Sequence, residues 1–179
     1  MRRAIFWDLQ GTLGGEATDS IENFQPYPFS KEALLRAKSN GYYNIVISNQ
    51  SGVAKGIITK ECCVKRIEYI LNFFNSERIL IDDFLCCMHK SEDFCNCKKP
   101  KTGWIKTSVE KYNLDIKECF VVGDMGKNEI IMANNAGCKG VLVLTGGGKA
   151  SLGKFRHTWS SYEADMIAEN VLDFIMRIT

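Results

Sequence analysis

Five apolar runs of strand length recur along the chain, each closing on a polar or glycine-bearing turn. They are "AIFWD" (residues 4 to 8), "YYNIVISN" (42 to 49), "DDFLCCMH" (82 to 89), "CFVVGD" (119 to 124) and "GVLVLTG" (140 to 146). Helix-like segments lie between them at 30 to 40, with Ser30 as N-cap, at 59 to 75, opened by Thr59, at 102 to 113 and at 127 to 136; a last helix over roughly 162 to 177 closes the chain. Strands that alternate with helices predict βαβ units, and so an α/β protein whose doubly wound parallel sheet carries helices on both faces. The runs are apolar throughout rather than alternating, so the strands are expected to be buried on both sides. Residues 145 to 155, "TGGGKASLGKF", form the one glycine-rich stretch and read as a mobile loop.

With 179 residues, 45% of them hydrophobic, the chain can bury one sizeable core, and a single domain over 1–179 is expected. Its 23 basic and 21 acidic residues give a formal charge of +2 with no block of like charge. That balance disfavours a nucleic-acid-coating or membrane-surface role and leaves a small anionic ligand open. No apolar run is long enough to span a bilayer. The start "MRRAIFWD" places two arginines before an apolar part of four residues. A secretory segment needs about 7 to 15 apolar residues there, so a cytoplasmic protein is expected, and a monomer.

In an open parallel sheet, ligands bind beyond the carboxyl ends of the strands. The residues there are Asp8, Ser48, Asn49, Gly123, Asp124 and Thr145. Asp8 and Asp124 bring two carboxylates to one edge, with the hydroxyls of Thr12 and Ser48 beside them. Paired carboxylates are costly unless a cation sits between them, and hard oxygen donors suit Mg²⁺. Lys99, on the connection after the third strand, supplies an ammonium for a bound phosphate. Together these groups make a site for phosphoryl transfer to a carboxylate.

Eight cysteines are many for such a chain, and in a reducing compartment clustered cysteines point to metal rather than disulfides. Cys62, Cys63, Cys119 and Cys138 lie in helix-like or strand-like surroundings and read as small core fillers. The stretch "CMHKSEDFCNC" (87 to 97) differs. Cys87, His89, Cys95 and Cys97 supply three sulfurs and an imidazole, enough for a closed tetrahedral zinc site, with Cys86 as the alternative to Cys87. With no open coordination position such a zinc would be structural, ordering a loop at about 86–98 that presents Lys98 and Lys99.

Four motifs in order carry a family resemblance: D-x-x-G-T from Asp8 to Thr12, S-N at Ser48 and Asn49, K-P at Lys99 and Pro100, and G-D at Gly123 and Asp124. They resemble the motifs of the haloacid dehalogenase superfamily. The stretches "SNQSGVAKG" (48 to 56) and "CNCKKPKTG" (95 to 103) resemble its D-glycero-D-manno-heptose 1,7-bisphosphate phosphatase and histidinol phosphatase group. The resemblance implies a Rossmann-like sheet, a minimal cap, a C-x-H and C-x-C zinc loop, and Mg²⁺-dependent hydrolysis of a small phosphorylated substrate. It makes Asp8 the nucleophile that forms an aspartyl-phosphate. Asp8, Asp124, the backbone carbonyl of Gln10 and Asn128, where the family often has a further aspartate, become the Mg²⁺ ligands. Ser48 and Asn49 hold the phosphate, Lys99 neutralises it, and Thr12, Gln50, Ser51 and Lys98 contact substrate.

Gln10 departs from the pattern. Phosphatases of this superfamily carry an aspartate two residues after the nucleophile, which protonates the leaving oxygen and then activates water. A glutamine can hydrogen-bond but cannot exchange a proton at neutral pH. Three readings follow: a phosphatase that is slow or relies on another base or on a good leaving group, a phosphosugar-binding pseudoenzyme, or another reaction of the superfamily. The last usually needs a cap insertion, and only about 17 residues separate Leu13 from the first helix. The slow phosphatase is the expected function, with the pseudoenzyme as the alternative.

Overall fold

The computed structural model describes residues 2–16 and 18–179. Each apolar run becomes a strand: β1 is Arg3–Trp7, β2 Tyr42–Asn49, β3 Asp83–Cys87, β4 Phe120–Gly123 and β5 Lys139–Val143. The helices are α1 Ser30–Ser39, α2 Lys60–Phe74, α3 Gly103–Tyr112 and α4 Glu129–Ala136, followed by the short α5 Gly148–Leu152 and α6 Val171–Ile178. A sixth strand, β6 Met166–Ala168, completes a sheet ordered β3-β2-β1-β4-β5-β6 in which every pairing is parallel.

Four of the five apolar runs are buried on both faces, whereas β3, at the edge of the sheet, is only half-buried from Asp83 to Cys86. Ile5, Trp7, Val46, Val122, Val141 and Val143 point to a core shared with Leu34 of α1, Phe74 of α2 and Phe174 of α6. Ala4, Phe6, Ile45, Ile47 and Val121 point the other way, onto Ile105 of α3 and Met132 and Ala133 of α4. The alternation hidden by uniform hydrophobicity is thus real, and each face has its own helices. One polar group inside, Asn44, is fully satisfied: it accepts from Trp7 Nε1 at 3.0 Å and donates to the carbonyls of Leu34 and Leu80 at 2.8 Å each.

Four further expectations need correction. Ser30 does not cap α1; it is the first helical residue, after Phe29, and its hydroxyl donates to the Leu13 carbonyl at 2.8 Å, tying helix to loop. The helix expected over 162 to 177 is two elements, because Met166–Ala168 pairs with β5 and α6 starts only after Asn170, whose side chain accepts from the N–H groups of Leu172 and Asp173. The glycine-rich stretch is not a free loop: it folds into α5, and its Ser151 hydroxyl accepts from Gly126 N–H at 2.8 Å. Cys63, Cys119 and Cys138 are buried as expected, but Cys62 is exposed, since it lies on the outward side of α2. Among the described residues, no helix is long and apolar enough to cross a membrane.

Candidate active site and metal loop

Strand order reverses at β1: the chain runs outward through β2 and β3, then returns to place β4 on the other side. The crevice at such a switch point lies between the carboxyl ends of β1 and β4, and Asp8 and Asp124 are the residues leaving those two strands. Asp8 is anchored by its own N–H, which donates to the Val122 carbonyl at 2.9 Å. Its Oδ2 accepts from the Thr12 hydroxyl at 3.0 Å, and its Oδ1 meets the ammonium of Lys99. Thr12 is fully buried beneath that carboxylate. Gly11 explains the glycine of the turn: its φ is +83°, and a Cβ there would lie 2.2 Å from Asp124 Oδ2.

Asp124 is 1% exposed and accepts from Gly147 N–H at 2.7 Å, so the glycine-rich segment after β5 closes the crevice on that side. Thr145 reinforces it by donating to the Gly11 carbonyl at 2.6 Å. Burial, with Asp8 and then Glu129 nearby, pushes the Asp124 carboxyl up to about 8. Glu129, the first residue of α4, was not read from the sequence as part of the site. It is 1% exposed, its Oε1 lies 2.7 Å from Lys99 Nζ, and its Oε2 accepts from Met125 N–H at 3.1 Å. Burial raises its carboxyl to about 7 against the lowering effect of Lys99. Burial works against the Lys99 charge, yet Asp8 and Glu129 beside it hold its pKa above the ordinary lysine value.

A cavity of about 70 Å³ lies here, lined by Asp8, Gln10, Ser48, Asn49, Lys99, Asp124, Asn128 and Glu129. Ser48 is 1% exposed, and its hydroxyl accepts from Gln50 at 2.8 Å. The Asn49 amide brackets the main chain of Lys99, accepting from its N–H at 3.0 Å and donating to its carbonyl at 3.3 Å. Asn49 therefore fixes the lysine loop directly. The Gln10 side chain is held at both ends: its amide N–H donates to the Asp19 carbonyl, and its carbonyl accepts from Gln50. Gln10, Asp19, Asn49, Gln50, Ser51 and Lys55 all line a second, open cavity of about 330 Å³. Lys98 does not line it; its ammonium donates to the Ser51 hydroxyl and, at 3.4 Å, to the His89 carbonyl. The Asn128 amide reaches only Met125 Sδ, at 3.8 Å.

The residues present fit a divalent cation. The carboxyls of Asp8, Asp124 and Glu129 gather about one ammonium, Lys99, which contacts Asp8 and Glu129; the raised carboxyls of Asp124 and Glu129 mark a shortage of positive charge that a single hard dication would relieve.

The metal loop is drawn together beside Lys99. The ligand atoms of Cys87, His89, Cys95 and Cys97 all lie within 4.8 Å of one another. Cys87 Sγ is 3.8 Å from Cys95 Sγ, and His89 Nδ1 is 3.6 Å from Cys87 Sγ and 3.3 Å from Cys97 Sγ. With Zn–S near 2.3 Å, the edges of a tetrahedral site are about 3.8 Å; these three separations are close to that, and the rest of the set lies within 4.8 Å. Burial opposes ionisation of Cys95, but N–H groups of Lys98 and Cys97 bring its thiol down to about 7. Cys86, on the opposite face of β3, packs against the core instead.

This sheet, with catalytic-type residues at the switch point of a doubly wound fold, is that of a haloacid dehalogenase-like hydrolase. A model of the HAD-hydrolase-like family matches residues 96–174. A probable D-glycero-D-manno-heptose-1,7-bisphosphate 7-phosphatase of Thermoplasma volcanium is 32% identical over 130 residues, covering 72% of this chain and 88% of that protein. The heptose-1,7-bisphosphate 7-phosphatase of Haemophilus influenzae is 29% identical over 98% of this chain and 94% of its own. The bifunctional histidine-biosynthesis protein of Blochmanniella floridana is 31% identical over 78% of this chain, which spans 40% of that protein's length. The crystal structure of the heptose 1,7-bisphosphate phosphatase of B. bronchiseptica, complexed with magnesium and phosphate, superposes with a TM-score of 0.86 at 22% identity, covering 99% of this chain and 98% of that one. The chain belongs to the haloacid dehalogenase-like phosphatases and is similar to heptose bisphosphate phosphatases and to bifunctional histidine-biosynthesis proteins.

Proposed function

We propose that this chain is a Mg²⁺-dependent phosphomonoesterase acting on a small phosphorylated metabolite, of the sugar bisphosphate or histidinol phosphate type, through an aspartyl-phosphate on Asp8. The observation that carries the proposal is the meeting of Asp8, Asp124 and Lys99 at the switch point of the sheet. The names of the relatives support the substrate class. The whole chain is read as one domain with the zinc loop at about 86–98 as its main decoration, and as a monomer.

Asp8, Asp124, Asn128 and the Gln10 backbone carbonyl would hold Mg²⁺. Bound there, the ion supplies Lewis-acid polarisation of the phosphoryl oxygens and offsets the charge of the carboxylates. The Ser48 hydroxyl and the Lys99 ammonium bind the other phosphoryl oxygens, and Asn49 keeps Lys99 in place through its main chain. A carboxylate oxygen of Asp8 attacks phosphorus, the ester P–O bond breaks, and the alcohol leaves toward the 330 Å³ cavity, past Gln50 and Ser51 in its lining, with Lys98 held on the Ser51 hydroxyl. Gln10 donates a hydrogen bond to the departing oxygen but no proton, so that proton comes from water. A second water then attacks the acyl phosphate, releasing orthophosphate and restoring Asp8. Zinc, held by Cys87, His89, Cys95 and Cys97, would fix the loop that carries Lys98 and Lys99.

The second reading is a phosphosugar-binding protein that has lost turnover. It is favoured by the two hydrogen bonds that tie up the Gln10 amide. Mg²⁺-dependent phosphate release from sugar phosphates, sugar bisphosphates, histidinol phosphate and an aryl phosphate, with Asp8→Asn as control, separates the two. Turnover abolished by the control supports the esterase; silence on every ester with tight binding of one supports the second reading.

A further inference from the structure

Glu129 has no part in the metal set or in the phosphate contacts above, yet it is as deeply buried as Asp124. Both of its oxygens are engaged, one with Lys99 Nζ at 2.7 Å and the other with Met125 N–H at 3.1 Å. Those two contacts hold the carboxylate against Lys99 and the turn that leads into α4. Space for the side chain exists only because residue 123 is glycine: a Cβ there would lie 2.2 Å from Glu129 Cγ. The Lys99 ammonium thus stands between two carboxylates from opposite walls of the crevice, Asp8 after β1 and Glu129 at the start of α4.

We infer that Glu129 is a positioning residue for phosphoryl transfer, acting on substrate only through Lys99. The inference rests on the phosphomonoesterase reading of the site. A lysine stem is long and flexible, and with Asp8 as its only partner the ammonium would settle onto the nucleophilic carboxylate and compete with phosphorus for its lone pair. A second carboxylate on the far side divides that attraction and pins the charge where the phosphoryl oxygens arrive. As Asp8 gives up its charge to the new O–P bond, Glu129 becomes the anion that keeps Lys99 in place. A buried carboxylate is costly to retain and contributes little net stability even when paired, so its presence here is better accounted for by position than by folding energy.

The test is a double-mutant cycle on the full chain: wild type, Glu129→Gln, Lys99→Met and the pair together. Glutamine keeps the size and the acceptor for Met125, and the double variant removes both charges at once, which protects the fold. Glu129→Gln is expected to lower kcat about tenfold or more while changing KM less than about threefold, the signature of an interaction made in the transition state. In the Lys99→Met background the same change is expected to alter kcat by less than about twofold, because partners in one network are not additive. Affinity for orthovanadate in the presence of Mg²⁺, measured calorimetrically, is expected to follow the same pattern and needs no turnover. Full additivity in both readouts would overturn the role given to Glu129. Absence of turnover in the wild type would defeat the esterase reading instead, and the orthovanadate cycle would still decide the role of Glu129.

Discussion

Replacing Gln10 by aspartate returns a proton-exchanging group to the position from which the leaving oxygen is reached. A positioned general acid or base contributes about 10² to 10⁴ in rate. Not all of that is recoverable here. The Gln10 amide donates to the Asp19 carbonyl and accepts from Gln50, and an aspartate, one methylene shorter, loses the first contact and sets a carboxylate near the carbonyl instead. One lost hydrogen bond amounts to about 0.5 to 1.5 kcal/mol, or a fall in Tm of about 1 to 6 °C for a chain of this size. The gain in kcat is therefore expected at the low end, about tenfold or more. Steady-state phosphate release should show it, and show it more strongly for an alkyl phosphate than for an aryl phosphate, whose leaving group needs no proton. An unchanged or lower rate on both substrates would refute the argument and mean that the site has adapted around the amide.

Three further outcomes follow from the geometry. Removing zinc with a chelator, or Cys97→Ser, should lower Tm by several degrees and raise KM through disorder of the Lys98 and Lys99 segment; an unchanged Tm and substrate affinity would rule out a structural role for the loop. Asp124 and Glu129 titrate near 8 and 7 in the metal-free fold, above their unfolded values near 4, so the stability they contribute is present at low pH and lost as pH rises through 7 to 8. Metal-free protein should therefore lose Tm between about pH 5 and pH 8.5 while the Tm gain on adding Mg²⁺ grows, and a flat profile in both would contradict that assignment. Gly123→Ala should cost about 1 to 3 kcal/mol and most of the activity, measured by denaturation and phosphate release, because its methyl would displace the Glu129 stem.

Much of the fold was legible because the strands are continuous apolar runs and each ends in a recognisable turn. The zinc-type cluster was legible because its four ligand residues are close in sequence and of unmistakable type. What escaped has physical reasons. β6 is only Met166–Ala168, an edge strand held by pairing with β5 rather than by any local pattern, so it merged into the amphipathic helix after it. The Asn170 cap, with Asp173 three residues on, was the signal that could have separated them. Glu129 was passed over because an acid in the first turn of a helix is normally a solvated partner of the helix dipole. Only the approach of Lys99, 30 residues earlier in sequence, makes it part of the site. Gly123 was the one hint: a glycine closing an otherwise apolar strand leaves room for something, and that something is the Glu129 side chain.

In the proposed mechanism Asp8 becomes phosphorylated. Rapid acid quench after mixing the protein with Mg²⁺ and a radiolabelled phosphate ester, followed by peptide mapping, tests it most directly. Because Gln10 should slow the hydrolytic step, label is expected to accumulate on the peptide holding Asp8, to be labile to hydroxylamine as an acyl phosphate is, and to vanish in Asp8→Asn. Phosphate release with no label on that peptide at any quench time, or release that survives Asp8→Asn, would contradict it.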